Sequence, residues 1–320
     1  MKSIIFMGTP EFSAPILQSL IDEPNYDVIG VVTQPDRKVG RKHVLTPSPV
    51  KKVAVKNDIK VYQPEKLSGS AELTELIALN ADLIVTAAFG QFLPMSLINS
   101  VKIGAVNVHA SLLPKYRGGA PVHYAIMNGD KETGVTIIYM VKKMDAGEML
   151  ATAKIPITDQ DDVGTMFEKL SLLGRDLLLD TLPQLIEGNV QPVKQDEEQV
   201  SFSPNISPEE EEIDISLPAR LVDAKVRGLR PFPVAYFMME GKRTKIWKTK
   251  VIDQTTDLKP GQVVSKTKHE LLIATGEHGV ISIEELQPAG KQKMTITDYL
   301  NGVGENLHPG KQIIDNDKSK

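Results

Sequence analysis

The chain has 320 residues, of which 41% are hydrophobic and 24% are charged, and its formal net charge is −4. This composition is that of an ordinary globular protein, and the length favours two domains over one. The absence of cysteine excludes disulfides, a thiol nucleophile and Cys-ligated zinc.

No targeting or membrane segment is predicted. The apolar run in residues 1–8 is too short for a signal peptide and has the character of a first strand. No stretch approaches the ~20 apolar residues of a membrane span. We therefore expect a cytoplasmic protein, or one in another reducing compartment, with no membrane partner.

The first two hundred residues alternate strand-like and helix-like segments. Short apolar or β-branched runs predict strands at 3–7, 27–33, 83–87, 103–109 and 135–139. Helical spacing of apolar residues predicts helices at 11–21, 50–55, 71–79, 119–127 and 163–182, and Pro183 is expected to end or kink the last one. The alternation predicts an α/β domain with a Rossmann-like parallel sheet covered on both faces.

The last third of the chain has a different pattern. Residues 191–212 combine three prolines with seven acids and little apolar content, which is typical of a linker. Short strand-like segments follow at 235–239, 244–247, 262–264, 270–274 and 280–286, which favours a small β-barrel or sandwich. The predicted organisation is a catalytic domain over 1–190, a linker over 191–212 and a C-terminal β-domain over 213–320.

Basic residues are concentrated in two tracts although the net charge is negative. Residues 37–60 hold eight basic side chains and one acid, Asp58, and residues 220–250 hold nine basic side chains. The acidic segment 196–212 lies between them. The position of charge says more about partners than its sum, so the pattern suggests a polyanion that contacts two patches.

Asn107 and His109 are the most informative residues in the chain. They stand two apart on an apolar run, and residues i and i+2 of a strand point to the same face. The run leads into a Pro- and Gly-rich loop, and open α/β sheets bind ligands at the carboxyl ends of their strands. An amide donor beside a general acid/base is what acyl transfer needs. The structural alternative is a strand end whose polar groups are satisfied by loop backbone.

Three motifs together carry a family resemblance. Asn-x-His-x-Ser-Leu-Leu-Pro at 107–114, Arg-Gly-Gly-Ala-Pro at 117–121 and Met-Asp-Ala-Gly at 144–147 resemble the folate-dependent formyltransferases, above all the branch that acts on methionyl-tRNA. The resemblance implies an enzyme of translation initiation. Its formyl donor would be 10-formyltetrahydrofolate, and its acceptor the α-amino group of methionine on initiator tRNA. It also implies that the C-terminal domain is an oligonucleotide-binding-type (OB-like) barrel that binds tRNA.

The same resemblance assigns roles to individual residues. Asn107 would donate to the oxyanion, His109 would manage the proton of the attacking amine, and Asp145 would orient His109 and stabilise its charged form. The folate site would be lined by Ser111, Leu112, Leu113 and Pro114. An acidic residue in a loop such as that of Asp145 is otherwise usually a turn former.

A basic loop follows the second predicted strand and contains Arg37, Lys38, Arg41 and Lys42. A solvated connection is the simplest interpretation of such a loop. The resemblance instead implies contact with the tRNA acceptor stem, with Arg41 the most important residue. The histidines show no metal-ligand spacing, and we expect no metal.

Two other functions stay open. Another folate-dependent N-formyltransferase, acting on a glycinamide ribonucleotide or an amino sugar, would share Asn107, His109 and Asp145 but would not need the basic loop. A non-enzymatic RNA-binding protein would need none of the three. A nicotinamide cofactor is disfavoured because Gly8-Thr-Pro-Glu lacks the second glycine of a dinucleotide-binding loop. We expect a monomer.

Overall fold

The computed structural model describes residues 1–40 and 43–315. They divide into two compact units. The first comprises Met1–Pro121, Glu132–Pro156 and Phe167–Pro204, and the second comprises Val122–Lys131, Ile157–Met166 and the chain from Asn205 onward.

A seven-stranded sheet forms the centre of the first unit. The strands of this unit are β1 (Lys2–Gly8), β2 (Tyr26–Val32), β3 (Arg37–Val39), β4 (Val44–Thr46), β5 (Val61–Tyr62), β6 (Leu83–Ala87), β7 (Gly104–His109), β8 (Glu132–Tyr139) and β9 (Met149–Pro156). The sheet order is β5-β2-β1-β6-β7-β8-β9, and β3 and β4 form a separate two-stranded ribbon. The predicted Rossmann-like α/β class is confirmed.

The expectation of a purely parallel sheet is wrong at one edge. The five strands β5, β2, β1, β6 and β7 pair in parallel in that order. Strand β8, however, is antiparallel to β7, and β9 is antiparallel to β8. The connection from β8 to β9 contains no helix, and a short connection of this kind joins antiparallel neighbours. Strand β9 was not predicted. From Ala151 to Pro156 its residues alternate between half-buried and exposed positions.

The helices along residues 1–190 are α1 (Ala14–Asp22), α2 (Pro49–Lys56), α3 (Ala71–Ala78), α4 (Met95–Ile98), α5 (Pro121–Met127) and α6 (Val163–Glu187). Helices α1 to α4 and α6 from Phe167 onward belong to the first unit, whereas α5 from Val122 and the first turn of α6 belong to the second. The hydroxyls of Ser48 and Ser70 cap α2 and α3 by accepting from the amides of Lys51 and Leu73.

Helix α6 continues past Pro183 to Glu187, so the helix does not end at the proline. Leu182 and Leu185, on either side of it, are 0% and 5% exposed. Burying two such side chains contributes roughly 1.5–3 kcal/mol each. That is enough to offset the ~3 kcal/mol cost of an internal proline.

The second unit is built on an antiparallel sheet. Its elements are α7 (Ala219–Gly228), β10 (Tyr236–Met239), β11 (Lys242–Ile252), β12 (Val263–Lys266), β13 (Leu271–Ala274), β14 (Val280–Pro288), β15 (Met294–Thr295) and α8 (Ile296–Leu300). The sheet order is β10-β11-β14-β13-β12, with β15 beside β14. Gln312 forms a bridge to Gln262 beside β12, and Ile314 forms one to Met239 in β10. One terminal segment therefore connects the two edges of the sheet, as the predicted small barrel requires.

The segment predicted as a linker has structure of its own. It contains two 3-10 turns, Glu197–Gln199 and Glu209–Glu211, and Val193 pairs with Met149 of β9. The domain limits 1–190, 191–212 and 213–320 remain a prediction. No helix within residues 1–40 or 43–315 combines the length and the apolar character needed to cross a membrane.

Candidate active site

Strand β7 carries Asn107 and His109 near the middle of the sheet of the first unit. It lies between β6 and β8, and Asn107 is paired with Thr86 on one side and Ile138 on the other. Val106 and Val108, which alternate with these two residues along the strand, are buried. The alternation of a strand therefore places the amide of Asn107 and the imidazole of His109 on one face.

The amide of Asn107 is oriented by its neighbour on β6. The Thr86 hydroxyl donates to Asn107 Oδ1 at 2.7 Å. Because the carbonyl end of the amide meets this hydroxyl, the Nδ2 amino group is the end that points away from Thr86. The arrangement presents a hydrogen-bond donor beside His109.

His109 is buried, with 5% of its surface exposed. Its Nε2 lies 3.0 Å from the carbonyl oxygen of Tyr116. A carbonyl oxygen can only accept, so Nε2 carries the proton and, in the neutral ring, Nδ1 has the free electron pair. Nδ1 faces the carboxylate of Asp145, with Oδ2 at 3.7 Å. Tyr116, not Asp145, therefore fixes the tautomer, and Asp145 supplies a negative charge beside the basic nitrogen.

Asp145 is held in place by backbone groups. Its Oδ2 accepts from the amide of Gly118 at 2.9 Å, and its own backbone has a φ of +50°. This conformation is uncommon outside glycine and is found where surrounding structure imposes it, often at active sites.

A cavity of about 530 Å³ is lined by residues that are near these groups in the chain, including Ala146 next to Asp145. Its lining includes Ala105, Tyr139, Met140, Gly147 and Glu148. Ala105 stands two residues before Asn107 and therefore shares its face of β7. Burial, and then the charge of Glu148, raise the pKa of the Tyr139 phenol, so this ring offers the cavity a neutral hydroxyl. The volume is in the range of small-molecule sites.

Comparison with known proteins identifies the family of this fold. Residues 1–182 match the formyl transferase family, and residues 205–304 match the formyl transferase C-terminal domain. The chain belongs to the formyl transferase family. The methionyl-tRNA formyltransferase of Pediococcus pentosaceus is 99% identical over 320 residues, which cover 100% of both chains. That of Levilactobacillus brevis is 68% identical over 315 residues, 98% of this chain and 100% of its own.

A solved structure adds a likeness of fold. The N-formyltransferase of Helicobacter canadensis, in complex with folinic acid and dTDP-3-aminofucose, superposes with a TM-score of 0.69. The match covers 90% of this chain and 100% of that one at 17% identity. At this identity the likeness concerns the fold alone.

The loop at residues 111–114 was predicted to line the folate site of this formyl transferase. Hydrogen bonds hold it in place at the end of strand β7. Ser111 is fully buried and its hydroxyl donates to the Lys115 carbonyl at 2.7 Å. The amide of Leu113 donates to Thr136 Oγ1 at 3.2 Å, and that hydroxyl donates to the Ser111 carbonyl at 2.7 Å. Leu112 and Pro114 are partly exposed. Of the four predicted residues, these two are the ones that could touch a ligand directly.

Of the four basic residues predicted to bind tRNA, two can be located. Arg37 and Lys38 are exposed on β3, and Arg37 forms an ion pair with Glu65 at 3.0 Å in which both side chains are well exposed. Such pairs are weak and exchange readily for another anion. Arg41 and Lys42 lie outside the described residues.

Sequence reasoning missed several groups that build this site. They are the Thr86 hydroxyl, the Tyr116 carbonyl, the Gly118 amide and the side chains of Arg117 and Gln195. Arg117 was noticed only as part of a motif. A polar residue within the buried strand β6 was the one available signal for Thr86, because a buried hydroxyl needs a partner.

Proposed function

We propose that this formyl transferase moves a formyl group from 10-formyltetrahydrofolate to the α-amino group of methionine on initiator tRNA, for translation initiation. The observation that carries the proposal is the 99% identity over the whole chain to a protein named methionyl-tRNA formyltransferase. Asn107 supplies a hydrogen-bond donor, His109 a general acid/base and Asp145 a carboxylate, which are the groups that the reaction needs.

In the proposed mechanism Asn107 serves the formyl oxygen. As the amine attacks, the formyl carbon becomes tetrahedral and its oxygen gains negative charge. The Nδ2 group of Asn107, turned outward by Thr86, donates to that oxygen. A preorganised donor is worth more in the transition state than in the ground state, because the charge exists only there.

His109 moves the proton. Its Nδ1 takes a proton from the attacking amine as the new nitrogen–carbon bond forms, and the carboxylate of Asp145 stabilises the resulting imidazolium across 3.7 Å. Nδ1–H then donates to the leaving nitrogen of the folate as the carbon–nitrogen bond breaks. The products are the formylated methionyl ester and tetrahydrofolate, and His109 returns to its neutral form.

The cavity beside Asn107 is the proposed site of the formyl donor. Its lining includes Ala105, which shares the face of β7 that carries Asn107, and Ala146, which follows Asp145, so a folate ring bound there would lie toward the catalytic side chains. Leu112 and Pro114, which lie outside this lining, are proposed as further contacts of the folate. For the tRNA we propose contact with the loop of Arg37, Lys38, Arg41 and Lys42, and with basic residues of the second unit. We expect the enzyme to act in the cytoplasm as a monomer.

The decisive experiment offers the purified protein a radiolabelled formyl donor with three acceptors. These are charged initiator methionyl-tRNA, glycinamide ribonucleotide and a dTDP-linked amino sugar. We expect transfer to the charged tRNA and none to the two small acceptors. Transfer to either small acceptor in preference to the tRNA would replace the proposed acceptor, and tRNA binding without any transfer would point to a non-enzymatic role.

Thr86→Val is expected to lower kcat by about two- to tenfold. The variant keeps the shape of the side chain but removes the hydroxyl that orients Asn107, and a hydrogen bond of this kind contributes about 0.5–1.5 kcal/mol. Thr86→Ser should restore kcat because it restores the donor. The measurement is steady-state formylation of charged tRNA, and equal kcat for Thr86→Val and the wild type would remove Thr86 from the mechanism.

A further inference from the structure

The loop that carries Asp145, residues 140–148, folds back tightly on the end of β8. A Cβ atom on Gly147 would lie 1.7 Å from the carbonyl oxygen of Tyr139, so only glycine fits this position. Asp145 itself has a left-handed backbone. Such a loop needs outside contacts to hold one conformation, because its backbone is strained and it contains no helix or strand of its own.

Gln195 makes the contacts that fit this need. Its Nε2 group donates to the carbonyl oxygen of Asp145 at 2.7 Å and to that of Gly147 at 2.8 Å. Its Oε1 accepts from Arg117 Nε at 3.0 Å. One side-chain amide therefore uses both of its N–H groups on the loop and its oxygen on the Arg-Gly-Gly motif. Gln195 is 9% exposed and Arg117 is 1% exposed, so these bonds are shielded from water.

Glu197 forms a second connection between Arg117 and the Asp145 loop. Arg117 Nη2 donates to Glu197 Oε1 at 2.8 Å, and Lys143, within the loop, donates to Glu197 Oε2 at 3.2 Å. The hydrogen bonds from Arg117, and then from Lys143, lower the pKa of Glu197. Gly118, next to Arg117, donates to the Asp145 carboxylate. The short segment 195–197 therefore forms hydrogen bonds both with the Asp145 loop and with Arg117, whose neighbour Gly118 binds the Asp145 carboxylate.

We propose that Gln195 is a positioning residue for catalysis, which holds the carboxylate of Asp145 beside His109 by fixing the carbonyl groups on both sides of Ala146. The inference rests on the proposed function, since it assigns Gln195 to the reaction in which Asp145 stabilises the imidazolium. The proposal assigns Gln195, which lies in the predicted linker over 191–212, to the active site.

The test compares Gln195→Ala with the wild type in steady-state formylation of charged tRNA. We expect kcat to fall by about 10- to 100-fold, which is the cost of a small misplacement of a catalytic group. The KM values for the formyl donor and for tRNA should stay within about twofold, since Gln195 lies behind the loop and not in the cavity lining. Gln199→Ala is the matched control, because Gln199 lies in the same segment but its side-chain amide donates to Asp196 Oδ2, at 2.8 Å, and not to the Asp145 loop.

The Asp145→Ala background separates positioning from a general structural role. If Gln195 acts through Asp145, Gln195→Ala should cause little further loss of kcat in that background. A purely structural role predicts that the two losses multiply, and that result would overturn the proposal. So would a kcat for Gln195→Ala equal to that of the wild type, or a Gln199→Ala variant that loses as much.

Gln195→Glu guards against a failure of the alanine variant to fold. It keeps the side-chain length and the oxygen that accepts from Arg117, but sets an oxygen against the carbonyls of Asp145 and Gly147. The proposal requires at least the loss seen with alanine, and a Gln195→Glu variant with wild-type kcat would contradict it. Wild-type activity on charged tRNA is measured first. Its absence would contradict the proposed function, whereas active wild type with insensitive Gln195 variants contradicts only this inference.

Discussion

His109→Ala and Asn107→Ala are each expected to lower kcat for formyl transfer by about 10²- to 10³-fold. Loss of one oxyanion donor of this kind typically costs that much, and loss of a general acid/base costs about 10²- to 10⁴-fold. Asp145→Ala should also lower kcat, because the imidazolium would lose the negative charge that lies 3.7 Å away. Steady-state kinetics with charged tRNA and formyl donor provide the measurement.

The combined variants give the sharper result. The three side chains act on one transition state, so the double variant Asn107→Ala/His109→Ala should lose far less than the product of the single losses. Circular dichroism and the thermal midpoint establish that each variant is folded. Asn25→Ala and His278→Ala are matched controls, since both residues are exposed and lie outside the described site. Near-normal kcat in two of the three single variants would refute the assignment.

The centre of the site could be predicted from the sequence because its information is local. Asn107 and His109 belong to one strand, so their shared face follows from a two-residue period. The strand itself is evident from its apolar run. The structure adds the orientation of both side chains, which depends on Thr86 and Tyr116. Thr86 is distant in sequence, and the contact of Tyr116 is made by a backbone atom that no side-chain pattern reveals.

Gln195 could not be found in this way. It stands among prolines and acids, and composition alone assigns such a stretch to a linker. Its bonds run to carbonyl groups about fifty residues away, and any residue type offers a carbonyl. The same reasoning explains why the sequence predicted a barrel but not the residues that close it, Gln312 and Ile314, since two isolated bridges leave no periodic pattern.

Counting basic residues overstated the charge that the second unit offers to RNA. Arg227, Arg230, Arg243 and Lys248 are engaged with Asp223, Asp162, Glu211 and Glu284 respectively. The Arg227 pair is only about 10% exposed on each side, so breaking it would leave a buried charge and is costly. Arg227 is therefore a poor candidate for phosphate contact, and the best candidates among the basic residues of this unit are exposed cations that have no acidic partner.

A cleft of about 600 Å³ in the second unit contains three such cations. Lys131, Arg220 and Lys250 line it, and all three are exposed. Among residues 1–40 and 43–315 none of the three forms an ion pair. We therefore expect these side chains to account for much of the contact between this unit and the tRNA backbone.

Replacing Lys131, Arg220 and Lys250 together by alanine should make tRNA binding weaker and less dependent on salt. Each phosphate contact contributes roughly 0.7 to 0.9 to the slope of log K against log salt through the release of counterions. Loss of three contacts should therefore make the slope shallower by about 2 to 3. Binding is titrated with charged tRNA at several salt concentrations. Binding of the formyl donor should be unchanged, because its proposed cavity lies in the first unit.

The control for this variant must remove the same charge from the same unit. Lys259, Lys268 and Lys291 are exposed and do not line the cleft, so their triple alanine variant separates local contact from net charge. A general electrostatic attraction predicts equal effects for the two triple variants, because long-range potential depends on total charge. Direct contact at the cleft predicts a change of slope only in the first. An unchanged slope in the first variant would mean that the cleft does not meet the tRNA backbone, and that the basic tract of residues 220–250 serves the ion pairs of its own unit.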